Sequence, residues 1–536
     1  MSNTPENSIR RGTATVAILT LGSRILGFAR EALTARLLGA TFLSDAYYIA
    51  LRIPNLCRSV LAEGAFTSAF VPLFNASLNE SKEEAESFLN TSAVIITIVA
   101  SLVTLGGIIY AHELVEFFAP GLPEHAQATA ENLTQIIFPF VILITLTSLL
   151  GSVLTSLKIF GTASWAQIVL NFTLIAGALL AFFFDSPRAA VILAQSTVVG
   201  GLIGVLFQLP LVHKKGFFLI NSLKVSGRLA KKLIFLMIPA LLTSSVYQLS
   251  IFISTIIASC VGEGTVSILF YADRISQLPL GIFSISLGTV LLPSLSSAYA
   301  KKDNSQFSKL LSSGLSSSCA ALIPLCTFMA VMSYSLCTVV FKGGAFSEES
   351  ALATSAVLKI MSVGVFFSGL QTILSRGFLA TLNTKVPAFT SALSLCVTLG
   401  STLMFLPELK GDGSIVFVLS HIQHLLPHIT TGLTGASTLA VGSLCGSISS
   451  ILLLIITALW LKVPCAWWTI VESLVKYLTI SLFAVIPLLF VDAGATVMGV
   501  ALHTTLFITF LIIGASLFKA KEILELLSSA KRYITR

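Results

Sequence analysis

Charge is what this sequence lacks. Of its 536 residues only 10% are Asp, Glu, Lys or Arg, against 55% that are hydrophobic. A soluble domain carries about 25% charged residues. A chain this long with so little polar surface cannot stay in water. That excludes a soluble enzyme, a disordered chain and a nucleic-acid-binding domain. Cysteine is scarce as well. The eight thiols (Cys57, Cys260, Cys319, Cys326, Cys337, Cys396, Cys445 and Cys465) are scattered, with no CxxC pair. Such spacing implies neither a disulfide framework nor a metal set, and small hydrophobes in apolar spans are the default reading. No GxxxxGK[ST] phosphate loop is present, which argues against ATP hydrolysis by this chain. No small-x-small cleavage site follows the first apolar run, and Arg24 interrupts it. The first segment therefore reads as a retained helix rather than a signal peptide.

What is abundant is the long apolar run. Fourteen of them follow one another from 13–37 to 495–518. A helix crosses a bilayer with about 20 apolar residues. Barrel strands would be about 10 residues long and strictly alternating, which these are not. The expected fold is an all-α polytopic membrane protein with 14 transmembrane helices. An even count puts both termini on one side. With the termini inside, about twenty of the 32 basic residues fall on the inner side. About three, Arg188, Lys342 and Lys410, fall outside. Positive charge favours the cytoplasmic side, so both termini are expected to be cytoplasmic. The densest basic stretch, 213–232, reads as a topology anchor that also attracts anionic lipid heads. The tail at 519–536 reads as a basic amphipathic helix at the interface.

Two pairs of segments repeat at nearly one offset. Residues 44–77 resemble 267–298, with Arg52 against Arg274 and Pro72 against Pro293, and 148–166 resemble 372–390. Six spans form each copy, so both enter the membrane from the same side. The expectation is two six-helix lobes, 1–220 and 221–465, related by a pseudo-twofold axis along the membrane normal. Spans 13 and 14 (466–518) form an appendage without a counterpart. Two like lobes around a central gap suit alternating access.

Some charges stand where the bilayer should forbid them. Arg24, Arg30, Arg36, Arg52 and Arg58 fall in spans 1 and 2, with Glu31, Asp45 and Glu63; Asp273, Arg274 and Arg376 fall in later spans. Each central arginine costs roughly 2.5–3.5 kcal/mol on an insertion scale, so four cost about 10–14 kcal/mol. They are expected to face a hydrated cavity between the lobes. Arginine is permanently charged and its planar fork matches phosphate, so such a cavity selects an anion. Arg24, Arg30, Arg58 and Arg274 are the leading substrate contacts. Arg52 stands even between substrate contact and structure, and Arg36, near an outer boundary, reads as structural. Six residues separate Arg24 from Arg30, about 120° apart around an ideal helix. A bend at Gly22 or Gly27 would let both reach one cavity. Span 2, with Pro54 and Gly64, is expected to be bent or broken too.

At this point the sequence resembles a known family. SRILGFARE (23–31), DAYYIALRIPNLCR (45–58) and AEGAFTSAFVP (62–72) are similar to blocks of the MurJ/MviN family of lipid II flippases. So are FYADRISQLPLGIFSISLGTVLLPSL (270–295) and RGFLATLNTKVP (376–387). The resemblance covers spans 1 to 12. It implies a transporter, not an enzyme. It implies movement of lipid II, a polyprenyl pyrophosphate bearing a disaccharide-peptide, to the outer leaflet of the bacterial inner membrane. It implies substrate binding by Arg24, Arg30, Arg58 and Arg274, with Asp45 matching an important acid and added to the candidate substrate contacts; Arg52 is a further candidate contact from its position alone. Ser23, Glu31, Asp273 and Arg376 are candidate accessory residues. It also implies a groove for the polyprenyl tail along spans 13 and 14. Two departures stand out. The family often has two basic residues where this chain reads Cys57-Arg58-Ser59. An insertion at 407–432 carries His421, His424 and His428, read as an outer amphipathic element rather than a metal site.

No cofactor or metal is expected; the membrane potential or an ion is the candidate energy source. Membrane lipids and proteins of cell-wall synthesis and division are the other candidate partners. A drug–cation antiporter would want an acid-dominated pocket. A membrane glycosyltransferase or ligase would need a carboxylate constellation on an outer loop, which the sequence does not offer. A non-transporting scaffold would tolerate loss of the arginines.

Overall fold

The structure, a computed structural model, describes residues 5–61, 65–159, 161–219, 226–406, 409, 411, 414–427, 429, 435–491, 494–520 and 522–523. Glu63, Lys224, Lys410, His428 and most of the C-terminal tail lie outside them. The described residues form helices and their connections, with no β-strand among them. They divide into two compact units. The first holds Met1–Ser267 with Gly344–Phe346 and Lys410–Val416; the second holds Ile268–Gly343, Ser347–Leu409 and Phe417–Arg536.

In the first unit the helices are α1 (Pro5–Leu38), α2 (Phe42–Leu61), α3 (Ala65–Glu80), α4 (Lys82–Ile109), α5 (Ala111–Phe118), α6 (Glu124–Ile137), α7 (Phe140–Ser156), α8 (Thr162–Ala181), α9 (Ser186–His213) and α10 (Gly227–Ser259). Helix α11 (Thr265–Pro279) starts here and runs through a π-helical segment, Leu280–Ile285, into α12 (Ser286–Ala300). The second unit adds α13 (Asn304–Val331), α14 (Ser333–Phe341), α15 (Glu348–Ala380), α16 (Lys385–Phe405), α17 (Ser414–Leu425), α18 (Gly435–Trp460), α19 (Trp467–Phe490) and α20 (Val497–Leu517).

Local chemistry sets several ends. Ser81 accepts from the Glu84 N–H and opens α4. Asp303 does the same for α13, Ser347 for α15 and Thr496 for α20. Such caps satisfy donors that a helix start leaves orphaned. Lys158, Lys302, Lys462 and Lys519 sit in the left-handed region just past the ends of α7, α12, α18 and α20. A cation there complements the negative end of the helix dipole.

Eleven helical stretches among the described residues are long and apolar enough to cross a membrane. They lie on α4, α6–α7, α8, α9, α11–α12, α13, α15, α16, α18, α19 and α20. The chain is a multi-pass membrane protein. The other three of the fourteen expected spans fall on α1, on α2 with α3, and on α10. Part of each of these three lies outside the residues whose side chains are described. The bend expected within α1 does not interrupt it, because α1 is one continuous helix through Gly22 and Gly27. Pro54 likewise lies inside α2 without ending it. Residues 62–64, which separate α2 from α3, lie outside the described residues.

Packing within each unit uses small residues and stacked rings. Lipid is as apolar as leucine, so close contact rather than water exclusion drives helix association. In the first unit Phe66, Phe70 and Phe74 run down one face of α3 and Phe88 of α4 joins them, with centroids 5.3–5.4 Å apart. Each such pair contributes about 0.5–1.5 kcal/mol beyond area burial. In the second unit α18 meets α16 through Gly442 and Gly446. A Cβ at either would stand 1.9 Å from a threonine hydroxyl, Thr402 and Thr398 respectively. Ser394 donates to the Gly446 carbonyl at 2.8 Å across the same seam.

Candidate functional site

The intramembrane charges of the first unit are held by α1, α2 and α8. Arg30 is half-buried. Its guanidinium donates to Asn171 Oδ1 of α8 at 3.1 Å and to the adjacent carboxylate of Glu31. Glu31 is buried and also accepts from the Tyr48 hydroxyl of α2 at 3.2 Å. Asn171 turns its amide nitrogen to Ser23, 3.0 Å from the carbonyl and 3.3 Å from Oγ. One asparagine thus ties the Arg30 guanidinium to the turn that carries Arg24. The Asn171 amide lies beside Gly27, where a Cβ would sit in ordinary contact at 3.7 Å. Arg24 itself is exposed. Three expected site residues, Ser23, Arg30 and Glu31, therefore share one network.

Asp45 belongs to a different cluster. It is 1% exposed, and both oxygens are engaged. Oδ2 accepts from the Gly264 N–H at 2.8 Å. Oδ1 accepts from the Ser267 N–H and hydroxyl, each at 2.8 Å. The carboxylate, from the first turn of α2, thus caps the first turn of α11. Gly264 has φ +74, and a Cβ there would stand 2.5 Å from the Ala40 carbonyl oxygen, so only glycine fits. Arg52 donates to the Thr255 hydroxyl of α10, and Arg58 Nε donates to Asn55 Oδ1 at 3.0 Å. Arg36 lies near the end of α1, where its carbonyl accepts from the Ala345 N–H at 2.8 Å.

In the second unit Arg274 is half-buried, with its guanidinium carbon 4.5 Å from the centroid of the Phe270 ring one turn earlier. Asp273 accepts from the Gln277 amide on the same helix. The stem of Arg376 lies along Gly288 of α12, where a Cβ would be 3.3 Å from its Cγ and Nε. His421 and His424 are exposed on α17, and His428 lies outside the described residues. Among the described residues no group of three or more His, Cys, Asp or Glu could hold a metal ion.

Asn171 and Tyr48 carry much of this geometry, and residue-type arguments passed over both. The available signal was Asn171 itself, the one asparagine in the span 163–184. An amide buried that far from water needs partners, and it finds them on α1.

Comparison with known proteins decides the family. The family model described as "Lipid II flippase MurJ" matches residues 34–487. The chain belongs to the MurJ family. A lipid II flippase MurJ of Burkholderia cenocepacia is 34% identical over 415 residues, 75% of this chain and 79% of the relative. A probable lipid II flippase MurJ of Buchnera aphidicola (from Acyrthosiphon pisum) is 31% identical over 416 residues, 77% of this chain and 81% of the relative. Among solved structures, a lipid II flippase MurJ in an inward closed conformation superposes with TM-score 0.77 at 23% identity, covering 95% of this chain and 99% of that one. An inward-facing multidrug transporter of the MATE family, of the MOP superfamily, gives 0.66 at 14% identity over 83% of this chain and 99% of its own. The MurJ fold is thus the fold of this chain, and its family is one of transporters rather than enzymes.

Proposed function

We propose that this chain is a lipid II flippase, carrying the precursor from the cytoplasmic to the periplasmic leaflet of the bacterial inner membrane by alternating access. The family match over residues 34–487 carries the reading. The chemistry of α1 and α2 supports it. From Arg24 to Arg58 the described residues hold five arginines, Arg24, Arg30, Arg36, Arg52 and Arg58, against two acids, Glu31 and Asp45. A cation-binding antiporter would want the opposite balance.

In this account Arg24, Arg30, Arg58 and Arg274 bind the pyrophosphate, and Arg52 is a further candidate contact. A guanidinium has five N–H donors. Asn171 and Glu31 fix the orientation of Arg30 through two of them. A fork held this way loses less rotamer entropy on meeting a phosphate. Asp45, Ser23, Glu31, Asp273 and Arg376 position helices and arginines. Both termini are cytoplasmic, as the basic loops indicate. Moving the cationic site through the membrane potential is worth about 2.3 kcal/mol per charge for each 100 mV. That is enough to bias net flux without a cofactor. Proteins of cell-wall synthesis and division are the other partners we propose.

The test is genetic. Expression of this chain in a bacterium depleted of its own lipid II flippase should restore growth. Arg24→Ala or Arg274→Ala should reach the membrane folded and fail to restore it. Full growth with both variants would remove the arginines from the mechanism.

A further inference from the structure

Helix α17 offers a surface the flipping mechanism does not use. Residues Phe417–Leu425 belong to the second unit. Leu419 is buried, and Gln423 on the same side donates to the carbonyls of Leu406 at 2.9 Å and Leu403 at 3.4 Å. The Ile429 N–H donates to the Met404 carbonyl at 3.0 Å. All three carbonyls lie at the end of α16, a crossing helix that finishes at Phe405. The insertion is therefore pinned where that span leaves the hydrocarbon.

The other side of α17 is apolar and open. Phe417 is 73% exposed, Val418 54% and Leu425 75%, with Ile422 between them. From Ser414 to Gly435 the chain carries no Asp, Glu, Lys or Arg. A water-facing helix needs a polar face; among the described side chains this one offers only Ser420, His421 and His424 besides the inward-bonded Gln423. Its 12 residues rise about 18 Å, short of the roughly 30 Å hydrocarbon core, so it cannot cross. Both flanking helices, α16 and α18, are long and apolar enough to cross the membrane.

We propose that α17 lies in the plane of the membrane surface, with Phe417, Val418, Ile422 and Leu425 seated in phospholipid. His421 and His424 take the headgroup level, where rings with one polar edge are favoured. The Phe417 and His421 rings are already stacked, 6.4 Å between centroids. The leaflet is the outer one under the orientation proposed above. The seat in lipid does not depend on that reading.

The test uses the full chain in nanodiscs of phosphatidylethanolamine and phosphatidylglycerol, with Phe417→Trp read as a difference against the parent. A helix seated about 5–10 Å deep should give blue-shifted emission and lose about half of it to phospholipid spin-labelled near the top of the acyl chain, with little loss to aqueous iodide. Val418→Trp, on the same face, should give the same result and serves if Phe417→Trp does not fold. Water-like emission quenched by iodide would overturn the proposal. So would protection from both quenchers, which would mean that protein, such as a second copy, covers the face. Because both leaflets of the disc are identical, the readout is blind to orientation and transport, and its failure leaves the flippase reading standing.

Discussion

Replacing Asp45 should unfasten α2 from α11. The carboxylate accepts three hydrogen bonds in a site with 1% exposure. In Asp45→Ala the Ser267 hydroxyl keeps a partner, because the Gly264 carbonyl lies 3.0 Å away. The N–H groups of Gly264 and Ser267 have no such alternative. Each orphaned buried donor costs about 1–3 kcal/mol, so about 2–6 kcal/mol in total. Asp45→Asn keeps one acceptor oxygen and turns an NH2 toward the other donor, for about half that cost. Ser267→Ala removes one bond to a charged group, about 1.5–3 kcal/mol. Thermal unfolding of the purified chain in detergent or nanodiscs should rank them, with Asp45→Ala the least stable. An unchanged midpoint for Asp45→Ala would refute the capping argument. So would a larger loss for Ser267→Ala than for Asp45→Ala.

Arg24→Lys keeps the charge and loses the planar fork; it should restore growth of a flippase-depleted strain less well than the parent and better than Arg24→Ala, and equal growth of Lys and Arg forms would mean that charge alone suffices. Asn171→Ala leaves Arg30 without its anchor on α8; the chain should accumulate normally in membranes while its flipping rate falls several-fold, measured with labelled lipid II in vesicles, and an unchanged rate would show that the anchor is idle. Gly446→Leu forces a side chain into the Thr398 hydroxyl and the Ser394 carbonyl across the α16–α18 seam; overpacking of this kind costs about 1–3 kcal/mol, so the unfolding midpoint should drop, and a midpoint equal to the parent's would mean that the seam is loose.

Much of the fold was legible because lipid imposes a simple rule: backbone polar groups must be satisfied within the segment, so long apolar runs become helices. The spans that carry the arginines were legible by the charges themselves, at Arg24, Arg30, Arg52 and Arg58. Arg30 was legible as a misplaced charge, but its partners were not. Asn171 lies 141 residues away, and nothing local announces which helix it meets. Asp45 was legible only as an acid of interest. Its capping role needs Gly264, 219 residues further on, whose left-handed backbone is set by its close approach to Ala40. The insertion at 407–432 was legible as amphipathic, but the depth at which it is pinned comes from its bonds to the end of α16.

The most direct test of the central claim follows lipid II itself. In a strain that depends on this chain, a probe that cleaves or labels lipid II only in the outer leaflet should find it there while the chain is present. On depletion, the outer-leaflet pool should fall as the inner-leaflet pool rises. An outer-leaflet pool that stays constant through depletion would contradict the account.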